Sequence, residues 1–148
     1  IRELQNGGEF VVLLFLAAWG NDTLAYCTGM LIGKHKMSPI LSPKKSIEGL
    51  IGGIVGAAIL GGLYGMYLNT YIRFSFNPVT MFPVICGLGG AVSVIGDLAA
   101  SAIKRDSGIK DYGTLIPGHG GILDRFDSII FIAPVIYYLT VMISGGAI

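Results

Sequence analysis

Long apolar runs divide this sequence more sharply than any other pattern in it. A helix crossing the roughly 30 Å hydrocarbon core of a bilayer needs about 20 mostly apolar residues, and it satisfies its own backbone hydrogen bonds there. Four runs approach that description: Phe10 to Gly33, Ile47 to Leu68, Val79 to Ile103 and Ser128 to Ile143. Only 13% of the residues are charged and 53% are hydrophobic, whereas a soluble domain carries about 25% charged residues. We therefore expect an all-α fold, a polytopic transmembrane helical bundle with about four spanning helices. The polar segments between the runs are too short for a separate soluble domain, and no internal repeat is visible. The 148 residues read as one transmembrane unit.

Glycine, at 23 residues, follows no Gly-X-Y period, which excludes collagen. It is densest in the second run, where Gly49/Gly53, Gly52/Gly56 and Gly61/Gly65 are each four apart. Small residues at that spacing let helix backbones approach closely, so this helix is expected to pack against its neighbours in a structural role. Cys27 and Cys86 lie in apolar runs without CxxC or Cys/His metal spacing, and both are expected to be buried small hydrophobes. The chain opens on Ile1 in a polar stretch that lacks a basic n-region and a cleavage pattern. It does not read as a signal peptide, and a processed or truncated chain is expected.

The net charge is only +1, so no overall basic field points to a nucleic-acid partner. Cations cluster in two loops: Lys34, Lys36, Lys44 and Lys45 after the first run, then Lys104, Arg105, Lys110 and Arg125 after the third. The intervening loop holds only Arg73. Cationic loops stay on the cytoplasmic side. Both are expected there together, in a bacterial inner membrane or, in a eukaryote, the endoplasmic reticulum or an organelle membrane.

Ionisable groups inside a span are costly and tend to be functional. Asp22 interrupts the first run and Asp97 stands late in the third. On a continuing helix, Ser101 and Arg105 follow Asp97 at four-residue steps and Lys104 follows at seven, which draws a polar stripe toward the basic loop. Asp124 and Asp127, three apart at the start of the fourth run, share a helix face. The carboxylates of Asp97, Asp124 and Asp127 suit a hard divalent cation, and all-oxygen ligation favours Mg²⁺ over zinc. The interspersed Lys and Arg suggest an anion arriving with the metal. Gly118, Gly120 and Gly121 let backbone N–H groups turn toward phosphate. No Walker A motif is present: Gly29 to Lys34 is one residue short and is followed by His35.

From Ser101 to Asp127 the sequence resembles the signature of the CDP-diacylglycerol synthase (phosphatidate cytidylyltransferase) family. The matching elements are Ser101 with Lys104-Arg105, Lys110-Asp111, Pro117-Gly-His-Gly-Gly121 and Asp124-Arg-Phe-Asp127. A second segment is similar to the family too: Asn21-Asp-Thr-Leu-Ala-Tyr26, Gly33-Lys34 and Ser42-Pro-Lys-Lys-Ser-Ile-Glu-Gly49, with Ser46 keeping the hydroxyl of an expected Thr. Members are about twice this long, with further transmembrane helices upstream, so the resemblance places this chain as the C-terminal catalytic part of a longer protein.

The resemblance implies condensation of CTP with phosphatidate, giving CDP-diacylglycerol and pyrophosphate, and it implies a homodimer. Asp97, Asp124 and Asp127 are then the expected metal ligands, with K⁺ a candidate second ion. Ser101, Lys104 and Arg105 join them as catalytic residues. Asp22, Lys44, Lys45, Lys110, Asp111, His119, Gly120, Gly121 and Arg125 are expected to bind substrate. His119 suits phosphate hydrogen bonding or loop structure better than base catalysis, because a phosphate monoester, with a second pKa of about 6, is already largely ionised at neutral pH. His35 reads as a solvated loop residue, and Tyr137 and Tyr138 as core or lipid contacts. A CTP-dependent lipid kinase is the rival enzyme, separable by its products. A transporter subunit is the rival outside enzymes, and it leaves the gathering of Lys, Arg, Gly and Asp in one loop without a reason.

Overall fold

The computed structural model describes residues 7–38, 42–74, 76–109 and 123–143. The first run forms α1 (Gly7–Phe15) and α2 (Asn21–Ile32), joined by a π-turn at Leu16–Gly20. A hairpin of β1 (Lys36–Ser38) and β2 (Ser42–Ser46) follows, then α3 (Ile47–Tyr71), α4 (Pro78–Asp106) and α5 (Leu123–Ile143). Among the described residues, three helical stretches, Gly7–Ile32, Ile47–Tyr71 and Pro78–Asp106, are long and apolar enough to cross a membrane, and Ser128–Ile143 is a shorter apolar helix. The helical bundle expected from the apolar runs is present.

Helix α3 is built inside out relative to a helix of a soluble protein. Its buried residues are Gly49, Gly53, Ala57, Gly61, Gly65 and Leu68. The large side chains of Ile51, Val55, Ile59, Leu63 and Met66 stand exposed on the other side. In a bilayer this arrangement is favourable, because lipid accepts large apolar groups and small residues allow close helix contact. Helix α3 accordingly packs chiefly on α4 and α2. A Cβ at Gly61 would stand 2.7 Å from both Cys86 Sγ and the Phe82 carbonyl on α4.

The helix starts are written locally. Ser46 Oγ accepts the Gly49 N–H at 3.1 Å and caps α3. Asn77 Oδ1 accepts the Val79 N–H at 3.0 Å, and Pro78 occupies the first turn of α4, where a missing N–H costs no helical bond. At this end of the bundle Phe10, Phe74, Phe76 and Phe82 pack ring to ring. The Tyr64 hydroxyl donates to Glu9. The core continues through Leu13, Ala17, Ile85, Cys86, Ile132 and Ile136.

Two readings of the sequence need amendment. The loop after the first run is not wholly irregular: β1 and β2 pair antiparallel, with Lys36 opposite Ser46 and Ser38 opposite Ser42. Pro43 has no N–H to place in the ladder, and the register shifts between Lys36 and Ser38. Cys86 is buried as expected, but Cys27 is exposed on α2. A small apolar side chain in a span can face outward as readily as inward, so the apolar run did not decide its side. His35 is an exposed loop residue, as expected, and its backbone N–H and its Nδ1 both meet the Glu48 carboxylate, the latter at 2.6 Å.

Candidate active site

The end of the bundle opposite the phenylalanine cluster holds a cavity of about 580 Å³. Its walls come from α2, the hairpin, the start of α3 and the late part of α4, and they include Asn21, Asp22, Lys45, Ser46 and Asp97. Helices α2 and α3 approach closely here. A Cβ on Gly49 would come within 2.7 Å of the Ala25 carbonyl and 3.3 Å of the Gly29 Cα, so only glycine lets the two backbones meet.

The central contact of the cavity joins residues far apart in the chain. Lys45 Nζ, on the second strand, donates to Asp97 Oδ2 on α4 at 2.6 Å. The two side chains are 32% and 16% exposed, so the pair is largely withdrawn from solvent, and each charge offsets the cost of burying the other. Asp22 lines the same cavity from α2. Three residues picked out from the sequence as separate points, Asp22, Lys45 and Asp97, therefore converge on one space.

The stripe on α4 also forms. The helix runs unbroken from Asp97 through Ser101, Lys104 and Arg105 to Asp106. Arg105 stands eight residues on from Asp97, about 12 Å at 1.5 Å per residue. Ser101 and Lys104 are half-buried and Arg105 is exposed. Asp124, Arg125 and Asp127 fall in the first turns of α5, but their side chains lie outside the described residues. So do Lys110, Asp111, His119, Gly120 and Gly121, and the side chain of Lys44.

The donors fit a hard cation in kind. Asp97 and Asp22 offer carboxylate oxygens in a partly buried cavity; among the described residues its lining holds no Cys or His, and its sulfurs are the thioethers of Met30 and Met37, which do not suit a hard cation. The described residues alone hold no cluster of three or more His, Cys, Asp or Glu. Asp97 already carries the Lys45 ammonium on one oxygen, so a cation reaching it shares that carboxylate with a positive neighbour. An anionic group arriving with the cation relieves that conflict, because the ammonium can then turn to the anion.

Sequence reasoning gave no role to the hairpin, which carries Lys45 to Asp97, and attached the Ser46 hydroxyl to no function. That hydroxyl caps α3, and Ser46 is a residue of the cavity wall. It also missed Asn21, a fully buried residue of the same wall. The signal was present in the Asn21-Asp22 pair, since a carboxamide beside an intramembrane carboxylate is itself a costly choice.

These features define a helical membrane protein with a charged, partly buried cavity at one end of its bundle. The comparisons with known proteins make this more specific. The model of the Cytidylyltransferase family matches residues 1–143, and the chain belongs to that family. It is 38% identical to the phosphatidate cytidylyltransferase of Staphylococcus haemolyticus over 137 residues, covering 93% of this chain and 51% of that protein. It is 37% identical to the enzyme of the same name from Thermotoga maritima over 139 residues, 94% of this chain and 52% of that protein. With the Synechocystis enzyme the identity is 44% over 133 residues, 89% of this chain and 43% of that protein. The chain thus spans about half the length of the curated relatives it matches.

Proposed function

We propose that the protein condenses CTP with phosphatidate to give CDP-diacylglycerol and pyrophosphate, and that these residues carry its catalytic centre. The observation that carries this reading is the Lys45–Asp97 pair facing the cavity that Asp22 also lines, at the end of the bundle where both basic loops begin. The names of the relatives supply the substrates.

In this reaction a phosphate oxygen of the lipid attacks the α-phosphorus of CTP. A new P–O bond forms, and the bond to pyrophosphate breaks. With the nucleophile already ionised, no strong general base is required. The site's task is to align two polyanions and offset their charge, which is positioning and electrostatics. Mg²⁺, with K⁺ as a candidate second ion, would be held by Asp97, Asp124 and Asp127 and would offset charge on the leaving pyrophosphate. Lys104 and Arg105, further along α4, are placed to receive phosphates at the mouth. Lys45 exchanges partners: it neutralises Asp97 before nucleotide binds and turns to a phosphate afterward, so neither charge is left buried alone. The cavity mouth faces the cytoplasm, where CTP is available, and phosphatidate reaches it laterally from the bilayer. The intact protein is a homodimer.

The test uses the intact protein in lipid with radiolabelled CTP and phosphatidate. Mg²⁺-dependent formation of CDP-diacylglycerol and pyrophosphate is expected, and Asp124→Asn and Asp127→Asn each lower it at least a hundredfold. Release of CDP with a newly phosphorylated lipid would sink the reading in favour of a kinase. Near-normal turnover in either variant would remove that residue from the metal set.

A further inference from the structure

Asn21 is the first residue after the π-turn and the only buried residue of α2. The buried positions before it run Leu13, Leu14, Ala17 and Ala18, so the polar side chain enters the interior in line with the apolar face of α1. The wide turn adds a residue just ahead of it, a device that recurs at functional sites. Asn21 is fully buried, and neither its Nδ2 nor its Oδ1 finds a hydrogen-bond partner among the described residues.

Two glycines make room for this amide. A Cβ at Gly53 on α3 would stand 2.7 Å from Asn21 Oδ1, and one at Gly90 on α4 would stand 3.0 Å from it. The oxygen therefore rests against two glycine backbones, where Cα–H groups give only a weak contact. The amide nitrogen, a donor of two hydrogen bonds, is left unspoken for. Gly90 shares a face of α4 with Ser93 and Asp97, three and seven residues on. Ser93 is likewise fully buried, and its hydroxyl has no partner among the described residues. A carboxamide with unmet donors inside a bundle of membrane-spanning helices is costly, and an apolar residue of the same shape would avoid that cost. Asn21 nevertheless lines the cavity that holds Asp22, Lys45 and Asp97.

We propose that Asn21 is a substrate-binding residue whose Nδ2–H donates to a phosphate oxygen of the ligand in this cavity. The inference rests on the cavity being the phosphate-handling site argued above and names one more residue of it. Phosphate is the fitting acceptor, because it can take a neutral donor as well as the Lys45 ammonium. It is available from either substrate, the nucleotide or the phospholipid.

The experiment compares Asn21→Leu with wild type in the intact protein in lipid nanodiscs, varying CTP and phosphatidate separately. Removing an unmet polar group leaves the ligand-free melting temperature unchanged or raises it, while KM for one of the two substrates rises about ten- to a hundredfold, the worth of one hydrogen bond to a charged group. A rise confined to CTP assigns the nucleotide phosphate, and a rise confined to phosphatidate assigns the lipid headgroup. The upward shift in melting temperature on adding Mg²⁺-CTP, or phosphatidate, should fall in parallel. If Asn21→Leu does not fold, Asn21→Ala, which also lacks a side-chain donor, serves, with the same KM effect expected. Both KM values within twofold of wild type, or a loss of kcat alone, would overturn the proposal. A wild-type protein without CTP-dependent turnover would overturn the reading of the site and this inference with it, whereas an active wild type beside an equally active Asn21→Leu sinks the inference only.

Discussion

Lys45 and Asp97 are 52 positions apart, and their contact at 2.6 Å is the most informative single interaction in the molecule. Each was visible in the sequence for its own reason, Lys45 as part of a basic loop and Asp97 as a carboxylate inside an apolar run. Their pairing was not visible, because it depends on how the hairpin folds back over the end of α4. If Lys45 moves to a phosphate when nucleotide binds, Lys45→Met should lower kcat/KM for CTP about ten- to a hundredfold, the loss of one charge-assisted hydrogen bond of about 1.5–3 kcal/mol. Lys45→Arg should recover part of it. Asp97→Asn should cost more, since it removes both the counter-charge and an expected metal oxygen. Residues that act as a unit are not additive. The double variant should therefore lose markedly less than the product of the single losses, and steady-state kinetics on the four proteins reads this directly. Multiplicative losses would mean that the pair does not work as a unit.

At the scale of elements, the apolar runs translated well into helices because length and hydropathy alone set what can span a bilayer. The glycine spacing of α3 also translated, since Gly49, Gly53, Gly61 and Gly65 all lie on its buried side. Replacing Gly61 with Val would drive a side chain into Cys86 and the Phe82 carbonyl. We expect a loss of about 1–3 kcal/mol, as for other overpacked interiors, read as a lower melting temperature, while Val at the outward position of Ile59 should be nearly neutral. The Ser46 cap predicts a smaller effect. Ser46→Ala should cost about 1 kcal/mol and loosen the strand that carries Lys45, and Ser46→Thr should restore it. Two elements were not legible. The π-turn at Leu16–Gly20 has no residue signature, since Leu, Ala and Trp are also found in ordinary helices and a lone Gly is tolerated there at about 1 kcal/mol. The hairpin is five residues at most per strand and contains Pro43, so neither alternation nor a turn motif announced it.

For the whole molecule, the charge pattern predicted that both basic loops lie at one end of the bundle. The Lys45–Asp97 contact supports this, because it ties the loop after α2 to the late part of α4, while Asn77 and the phenylalanine cluster mark the other end. The proposal that the basic end meets the cytoplasm rests on the cations and not on the packing. Lysine and arginine resist translocation, and the α3–α4 connection carries Arg73 alone. The orientation also matters for chemistry, since a cavity opening on the far side of the membrane would have no access to cytoplasmic CTP. Single cysteines decide it. In a background with Cys27→Ser and Cys86→Ala, Lys36→Cys and Ser107→Cys should react together with a membrane-impermeant maleimide in inside-out vesicles and stay protected in right-side-out ones, with Asn77→Cys showing the reverse. Saturating Mg²⁺-CTP should slow labelling at Lys36, which lines the cavity, and leave Asn77 unaffected. If Asn77 and Ser107 label from the same side, the alternating arrangement of α3 and α4 is wrong. If the two ends are exchanged, the cavity faces away from its nucleotide, and the proposed reaction loses its substrate.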